Sequence, residues 1–316
     1  MKILVSGSSG HLGEAIMRVL RQRGENVLGI DLQPSSYTDL VGSVTDRPFV
    51  HQAMNGITHI LHTATLHKPH VISHSRQQFI DTNITGTLNL LEEATEAGVK
   101  SFVFTSTTST FGDSLKPPPG TPAAWITEET IPIPKNIYGV TKTAAEDLCR
   151  IFHRNQKLPC LILRTSRFFP EEDDEKGIAE SYADAHVKTN EFLYRRVDIE
   201  DVVNAHLLAL EKAPSIGFGC YIISATTPFT RSDLSELNRN AHDLIKKLYP
   251  DYEALYRKLD WRMFPVIERV YVNQKARIEL GWLPKYDFQY VLDKLKSGEG
   301  IASELAAAVG SKGYHK

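Results

Sequence analysis

The chain has 316 residues, 41% of them hydrophobic, which is enough for one large domain with an appended lobe or for two ordinary domains. Its 36 basic and 38 acidic residues give a formal charge of -2 without a lysine or arginine cluster, which argues against nucleic-acid and membrane-surface partners. The three cysteines include no Cys-x-x-Cys pair, which argues against a disulfide framework or a zinc site. No apolar run approaches the length of about eighteen residues that indicates a membrane-spanning helix. We expect a cytoplasmic protein with a small-molecule partner.

Short apolar runs alternate with amphipathic stretches along the first half of the chain. The predicted strands are Lys2–Val5, Asn26–Ile30, His59–His62, Ser101–Thr105 and Pro159–Leu163. The predicted helices are His11–Gln22, Gln78–Ala97 and Tyr138–His153, followed by Asp198–Leu210, a strand at Cys220–Ile223 and a helix at Phe288–Lys296. Such alternation predicts an α/β fold with a Rossmann-type, doubly wound parallel sheet. The Gly/Ala-rich end is expected to fray.

A glycine-rich turn follows the first predicted strand and opens the first helix. Gly7, Gly10 and Gly13 have the spacing that allows a tight turn, close approach to a pyrophosphate, and close helix–sheet packing. The N–H groups at the helix start, at His11 and Leu12, are then directed towards phosphates. The turn therefore predicts a dinucleotide site.

Asp31 ends the second predicted strand, at the distance where a carboxylate accepts hydrogen bonds from an adenosine ribose and repels a 2′-phosphate. This favours NAD over NADP. The alternative is that Asp31 caps a loop.

A phenol and an ammonium, Tyr138 and Lys142, are four residues apart on a predicted helix and so share one face. A run of serine and threonine, residues 105–110, ends a predicted strand about thirty residues earlier. Placed near a dinucleotide, such a pair suits proton transfer, although the spacing alone is common on solvated helix faces.

Together these features resemble the extended short-chain dehydrogenase/reductase family, in its NAD-dependent sugar epimerase/dehydratase group. The segments 83–87, 197–202 and 276–284 also resemble family motifs. The resemblance implies an NAD-binding domain of residues 1–166 and 192–223, and a smaller C-terminal substrate-binding lobe of residues 167–191 and 224–312. It also implies a homodimer that pairs through the helices at 78–97 and 138–153.

The resemblance implies a catalytic set of Thr107, Tyr138 and Lys142, with Ser106 as the alternative to Thr107. Tyr138 is the general acid/base, and Lys142 lowers its pKa and holds the cofactor ribose. Tyr138 is also expected to contact the cofactor, as are Ser43, Val44, Ala64 and Asn83.

Family dehydratases and decarboxylases carry carboxylates where this chain has Thr108 and Ser109, so both reactions are disfavoured. Nucleotide-sugar epimerases carry an asparagine after an arginine–phenylalanine pair, which here is Arg167 and Phe168, and this chain lacks that asparagine. The acidic stretch that follows, 171–175, would repel a pyrophosphate. Expected substrate contacts are His67, Ser106, Thr107, Arg167 and Phe168, and further arginines could compensate for the missing asparagine: Arg195, Arg196 and Arg231.

Three functions remain open. The first is an NAD-dependent epimerase or dehydrogenase of a sugar, sugar acid or nucleotide sugar. The second is a dehydrogenase or reductase of a small non-sugar compound, and the third is a non-catalytic dinucleotide-binding regulator. His62, His67, His70 and His74 do not have a zinc spacing, so no metal is expected.

Overall fold

A seven-stranded, all-parallel sheet organises the computed structural model, which describes residues 1–171 and 181–313. The strands are β1 (Lys2–Ser6), β2 (Asn26–Asp31), β3 (Leu40–Val41), β4 (His59–His62), β5 (Ser101–Thr107), β6 (Ala124–Ile126), β7 (Cys160–Thr165), β8 (Phe218–Ile223) and β9 (Arg269–Tyr271). The spatial order is β3-β2-β1-β4-β5-β7-β8, while β6 and β9 pair separately. The order reverses between β1 and β4, where ligands bind in doubly wound sheets.

Helices cover both faces of this sheet and build the lobe. They are α1 (His11–Gln22), α2 (Arg47–Ala53), α3 (Arg76–Ile80), α4 (Gly86–Glu96), α5 (Ile137–Gln156), α6 (Asp184–Glu191), α7 (Ile199–Ile216), α8 (Leu234–Leu248), α9 (Tyr252–Lys258), α10 (Gln274–Glu279), α11 (Phe288–Lys296) and α12 (Glu304–Val309). A π-helical turn, Asp81–Thr85, joins α3 to α4, so the predicted helix at 78–97 is one interrupted run.

Two apolar layers sandwich the sheet because its central strands are buried on both faces. One layer packs α1 and α7 against the sheet around Ile16 and Val203, and the other packs α4 and α5 around Leu90 and Ala145. A third cluster, centred on Leu237 and Phe288, forms the core of the lobe. The parallel sheet with helices on both faces confirms the predicted fold class, a Rossmann-type α/β fold.

The end of the chain differs from the prediction that it frays. Helix α12 forms there, capped by Ser303, whose Oγ accepts a hydrogen bond from the backbone N–H of Ala306 at 3.1 Å. Val309 is buried in the layer that contains α1 and α7. Burial of the apolar side of α12 thus orders a segment whose glycine and alanine content suggested fraying.

The proposed domain division stays a prediction, but part of the expected lobe packs on the NAD-binding side. Trp282 lies with α7 and donates its indole N–H to the carbonyl of Asp201 at 3.0 Å.

Of the acidic stretch 171–175, only Glu171 lies within the described residues. Among the helices that the structure describes, none combines the length and apolar character needed to cross a bilayer.

Candidate active site

A cleft of about 690 Å³ lies at the carboxyl ends of the central strands, where the strand order reverses. The glycine turn and the end of β2 line one part of it. The ends of β5 and β7, the start of α5, and β9 line the rest. Residues from distant parts of the sequence thus meet around one space of the size that holds small ligands.

The glycine turn has the geometry that its spacing predicts. Gly7 has a φ of 78°, which favours glycine, and a Cβ on Gly13 would lie 1.8 Å from the carbonyl oxygen of Gly7. Gly10 caps α1 without a side-chain hydrogen bond, so the N–H groups of the first turn, near His11 and Leu12, remain available. Uncapped N–H groups beside glycines fit a cofactor pyrophosphate.

Asp31 lines the cleft at the end of β2. Its carboxylate accepts hydrogen bonds from the backbone N–H groups of Ser9, at 3.0 Å, and Gln33, at 2.9 Å. The two predicted roles of Asp31, capping a loop and contacting the cofactor ribose, are therefore compatible. The carboxylate binds the N–H groups of two loops and still faces the cleft. Ser43, Val44 and Ala64 also line this part of the cleft.

Asn83 does not contact the cleft as a cofactor ligand would. Its Oδ1 accepts from the N–H of Leu66 at 2.8 Å and the hydroxyl of Thr65 at 3.0 Å. Its Nδ2 donates to the carbonyl of Leu66 and to Thr141 Oγ1 at 3.0 Å. Because these bonds engage the amide fully, Asn83 ties the cleft loop to α5, and the predicted direct contact is corrected to a positioning role.

Thr107 and Tyr138 meet at the cleft, although thirty residues separate them. Thr107 ends β5, opposite Thr165 of β7, and Tyr138 lies in the first turn of α5. Asn136 caps that helix by accepting from the N–H of Gly139 at 3.0 Å. The Thr107 hydroxyl, which accepts from the N–H of Ser109 at 3.1 Å, lies near enough to Tyr138 to lower the pKa of the phenol. The Ser106 hydroxyl instead donates to Glu146 at 2.5 Å, which leaves Thr107 as the hydroxyl beside the phenol.

Burial dominates the electrostatics of Tyr138 and Lys142. Burial raises the pKa of Tyr138 to about 12, with the Thr107 hydroxyl acting in the opposite direction. Lys142 lies beneath the cleft surface, 2% exposed, and its Nζ is 4.0 Å from the centroid of the Phe104 ring. In this arrangement the ammonium lies against the Phe104 ring of β5, and the predicted effect of Lys142 on the phenol and its predicted contact with the cofactor ribose stay predictions.

A buried ion pair that the sequence analysis missed lies one helical turn beyond Lys142. Glu146 accepts hydrogen bonds from Arg164 Nε at 3.0 Å and Nη2 at 2.7 Å. Burial lowers the pKa of Lys142 to about 7, and the Glu146 carboxylate opposes that shift. The same spacing of four residues that identified Tyr138 and Lys142 extends to Glu146 and could have revealed it.

His62 lies apart from the other three histidines, which contact one another edge to face: the ring centroids of His67 and His70 are 4.3 Å apart and those of His70 and His74 are 5.0 Å apart. His62 is buried between Ser6 Oγ, at 2.7 Å, and Thr87 Oγ1, at 2.9 Å, and burial lowers its pKa to about 3. His67, His70 and His74 line the cleft. His67 stacks on Phe169 with ring centroids 5.4 Å apart, so it forms part of the cleft wall.

Arg167 and Phe168 also line the cleft, as predicted for substrate contacts, and Arg195 joins them. Arg196 instead binds the buried Glu191, and Arg231 lies over the Trp125 ring at 5.6 Å. The expected convergence of arginines thus includes Arg167 and Arg195, but Arg231 lies elsewhere. Arg269, which the sequence analysis did not single out, takes part in the wall from β9.

The model of the NAD dependent epimerase/dehydratase family matches residues 3–218, which contain the glycine turn, Thr107, Tyr138 and Lys142. The chain belongs to this family. Membership confirms the predicted resemblance and the predicted cofactor, NAD, whose pyrophosphate the glycine turn fits.

Two relatives match this family member over most of its length. The UDP-glucose 4-epimerase of Halalkalibacterium halodurans is 25% identical and covers 90% of this chain and 91% of its own. The 3 beta-hydroxysteroid dehydrogenase/Delta 5-->4-isomerase of Mycobacterium tuberculosis, strain H37Rv, is 25% identical, with 92% and 88% covered. An uncharacterised protein of Sinorhizobium fredii is 32% identical, but the match spans only 39% of that protein's length and 51% of this chain.

Solved structures share the fold. A short-chain dehydrogenase/reductase superfamily protein of Agrobacterium tumefaciens, solved with NAD, has a TM-score of 0.65 at 23% identity, with 98% of this chain and 97% of that chain covered. At this identity the likeness supports the Rossmann-type architecture. The choice of reaction depends on the residues of the cleft.

Proposed function

We propose that this protein transfers a hydride between NAD and a hydroxyl-bearing carbon of a sugar-like substrate, by epimerisation or by net oxidation. The observation that carries the proposal is that the Thr107 hydroxyl and the Tyr138 phenol line one cleft with the glycine turn, close enough for Thr107 to lower the pKa of the phenol. It places a proton donor and an orienting hydroxyl beside the residues that fit a dinucleotide.

Each residue of the site has a distinct role in this proposal. NAD, when bound, supplies the hydride acceptor and, in its oxidised form, a positive charge. With a pKa of about 12, Tyr138 is protonated at neutral pH and donates its proton to the substrate oxygen in the reductive direction. In the oxidative direction a Tyr138 phenolate, which the positive charge of oxidised NAD would favour, takes the proton of the substrate hydroxyl, and Thr107 orients the same oxygen.

The lining of the cleft disfavours 4,6-dehydration and decarboxylation. Among the described residues that line it, Asp31 contributes the one carboxylate, at the cofactor end. Thr108 and Ser109 lie where an elimination would need a second acid/base pair. Hydride transfer without elimination is the reaction this lining supports.

A second candidate is an NAD-dependent dehydrogenase of a small non-sugar hydroxy compound. The mycobacterial steroid dehydrogenase supports it, because it matches as much of the chain as the epimerase does. A non-catalytic regulator is disfavoured, since cofactor binding alone does not require a phenol beside a threonine hydroxyl in the cleft.

An assay of the purified protein with NAD and a panel of sugars, sugar acids, nucleotide sugars and hydroxysteroids tests the proposal. Net NADH absorbance identifies a dehydrogenase, and isomerisation without net NADH identifies an epimerase. Turnover of hydroxysteroids alone would support the second candidate. If every compound is inert while NAD binds, the regulator becomes the better description.

Replacement of Asp31 by asparagine should narrow the preference for NAD over NADP. Asparagine keeps an oxygen acceptor for one of the two N–H groups, Ser9 or Gln33, which bond different oxygens of Asp31, and it removes the charge that repels a 2′-phosphate. A repulsion of about 1–4 kcal/mol, the range for two charges ~4 Å apart, corresponds to a change of roughly fivefold or more in the ratio of the two dissociation constants. Dissociation constants for both dinucleotides measure the change, and a wild-type protein that prefers NADP would contradict the prediction.

We also infer that the protein is a homodimer. Apolar side chains form a strip on the outer faces of the neighbouring helices: Ile80 and Ile84 beside α4, and Val140, Leu148 and Ile151 on α5. Val140 is 49% and Ile151 40% exposed, and a second copy with the same strip would cover both.

Light scattering after size exclusion should give the dimer mass at micromolar concentration. A variant with Val140→Glu and Ile151→Glu should run as a monomer, because paired charges would be buried in the interface. A wild-type monomer would refute the inference.

A further inference from the structure

The first carboxylate of the acidic stretch lies in a place that the sequence does not predict. From the sequence, residues 171–175 are expected to repel a pyrophosphate. In the structure Glu171 is buried, with 8% of its surface exposed, and it follows soon after Phe168 and Phe169, which line the cleft. The segment that leaves the cleft wall therefore carries a buried carboxylate, whose charge needs compensation from its neighbours.

Glu171 contacts the first residue of α1. Its Oε1 lies 3.1 Å from Nε2 of His11, which begins the helix directly after Gly10. His11 is buried, and its ring packs edge to face against Phe169 with the centroids 5.4 Å apart. The backbone N–H groups that fit the cofactor pyrophosphate thus belong to a turn whose first side chain is held by Glu171.

The chain that follows α12 holds Glu171 from another side. The Oε1 of Glu171 accepts hydrogen bonds from Ser311 Oγ and from the backbone N–H of Lys312, both at 3.0 Å. The Lys312 ammonium pairs with Glu14, in the first turn of α1, and α12 itself packs against α1. This part of the chain therefore contacts the beginning of α1 both directly and through Glu171.

The charge of Glu171 strengthens these contacts. Burial by itself raises the pKa of this carboxyl, but His11 and the backbone N–H of Lys312 outweigh burial and lower the pKa to about 2. The carboxylate is therefore ionised at neutral pH, and hydrogen bonds to an ionised acceptor are stronger than those between neutral groups. Glu171 joins the cleft wall, the first turn of α1 and the chain after α12 at one point.

We propose that Glu171 is a positioning residue of the cofactor site: it holds His11, and with it the diphosphate-binding turn of α1, while Ser311 and Lys312 keep Glu171 in place. An anion site made of backbone N–H groups depends on the direction of those groups, so fixing the turn before NAD arrives strengthens binding. The proposal concerns the cofactor and holds for any of the reactions considered above.

A purely electrostatic effect of Glu171 would have the opposite sign. A carboxylate near a diphosphate repels it, so removal of the charge would tighten NAD binding. Removal of a positioning residue loosens the turn and weakens NAD binding instead. The direction of the change in affinity therefore separates repulsion, which the sequence predicts for the acidic stretch, from positioning.

Displacement of NADH from the protein, followed by NADH fluorescence, by NAD, ADP and adenosine tests the proposal. Glu171→Ala should weaken the binding of NAD and ADP about fivefold, the effect of one ordinary hydrogen bond. Adenosine lacks the diphosphate and is expected at the Asp31 end of the cleft, so its affinity should stay unchanged. A general loosening of the fold would weaken adenosine and ADP alike.

Two substitutions of Lys312 test whether the chain after α12 acts through Glu171. Lys312→Pro removes the backbone N–H that donates to Glu171, whereas Lys312→Met keeps this N–H and removes the ammonium alone. We expect Lys312→Pro to weaken ADP binding several-fold and Lys312→Met to weaken it less than about twofold. The double variant Glu171→Ala with Lys312→Pro should bind ADP no more weakly than Glu171→Ala, because both changes break the same contact.

Three results would overturn the proposal: tighter or unchanged ADP binding in Glu171→Ala, equal losses for ADP and adenosine, or full additivity in the double variant. Urea unfolding shows whether each variant is folded. If Glu171→Ala is not, Glu171→Gln replaces it. Glutamine keeps an acceptor for Ser311 and Lys312 but loses the charge that faces His11, and it should still weaken ADP relative to adenosine. Since no titration includes a substrate, failure of this proposal leaves the proposed reaction untouched, and the reverse also holds.

Discussion

Replacement of Tyr138 by phenylalanine is expected to lower turnover by at least about a hundredfold, the low end for loss of a general acid/base. The aromatic ring and its packing remain, while the phenol hydroxyl that lies beside Thr107 and would move the substrate proton is lost. NAD affinity should stay nearly unchanged, because the glycine turn and Asp31 lie at the other end of the cleft. Steady-state rates and a calorimetric titration with NAD measure the two effects.

Tyr271→Phe is the matched control for that experiment. Tyr271 lines the same cleft from β9 and packs against Phe111, but its hydroxyl is not paired with Thr107. We expect it to lower turnover less than about tenfold, the scale of one ordinary hydrogen bond. Full activity in Tyr138→Phe, or equal losses in both variants, would contradict the assignment of Tyr138 as the acid/base.

Replacement of Glu146 by glutamine is expected to destabilise the fold by about 3–5 kcal/mol, since it leaves Arg164 charged and buried without its counter-ion. Both side chains are at most 5% exposed. The change should also lower the pKa of Lys142 below about 7, because the carboxylate is the largest influence that opposes burial. We expect activity to need the protonated Lys142, as the family resemblance implies, so the alkaline limb of the pH–rate profile should move to lower pH.

The double variant Glu146→Gln with Arg164→Met separates the two effects of Glu146. It removes the unpaired charge, so it should recover most of the lost stability, while the shift of the alkaline limb should remain. Urea unfolding and pH–rate profiles measure these quantities. If the limb stays at the wild-type pH in both variants, Glu146 acts through packing rather than through Lys142.

Local sequence patterns were sufficient to predict the helices and strands with the strongest hydrophobic periodicity. Lys2–Ser6, His11–Gln22 and Phe288–Lys296 agree with the structure to within one residue, because alternation and capping act over a few neighbours. The glycine turn was predictable for the same reason, since the φ of Gly7 and the contact at Gly13 are local. Helix α12 was not, because its order depends on burial against α1 and α7.

The sequence by itself determined the fold class, the family and its cofactor, and the residue types available for proton transfer, because these follow from spacing along one strand, turn or helix. Only the tertiary structure decided which hydroxyl meets Tyr138, that Lys142 lies against the Phe104 ring, that Asn83 ties a loop, and that Arg269 joins the cleft. Side-chain direction, burial and charge depend on neighbours that are distant in the chain, and these neighbours come together only when the strands have paired.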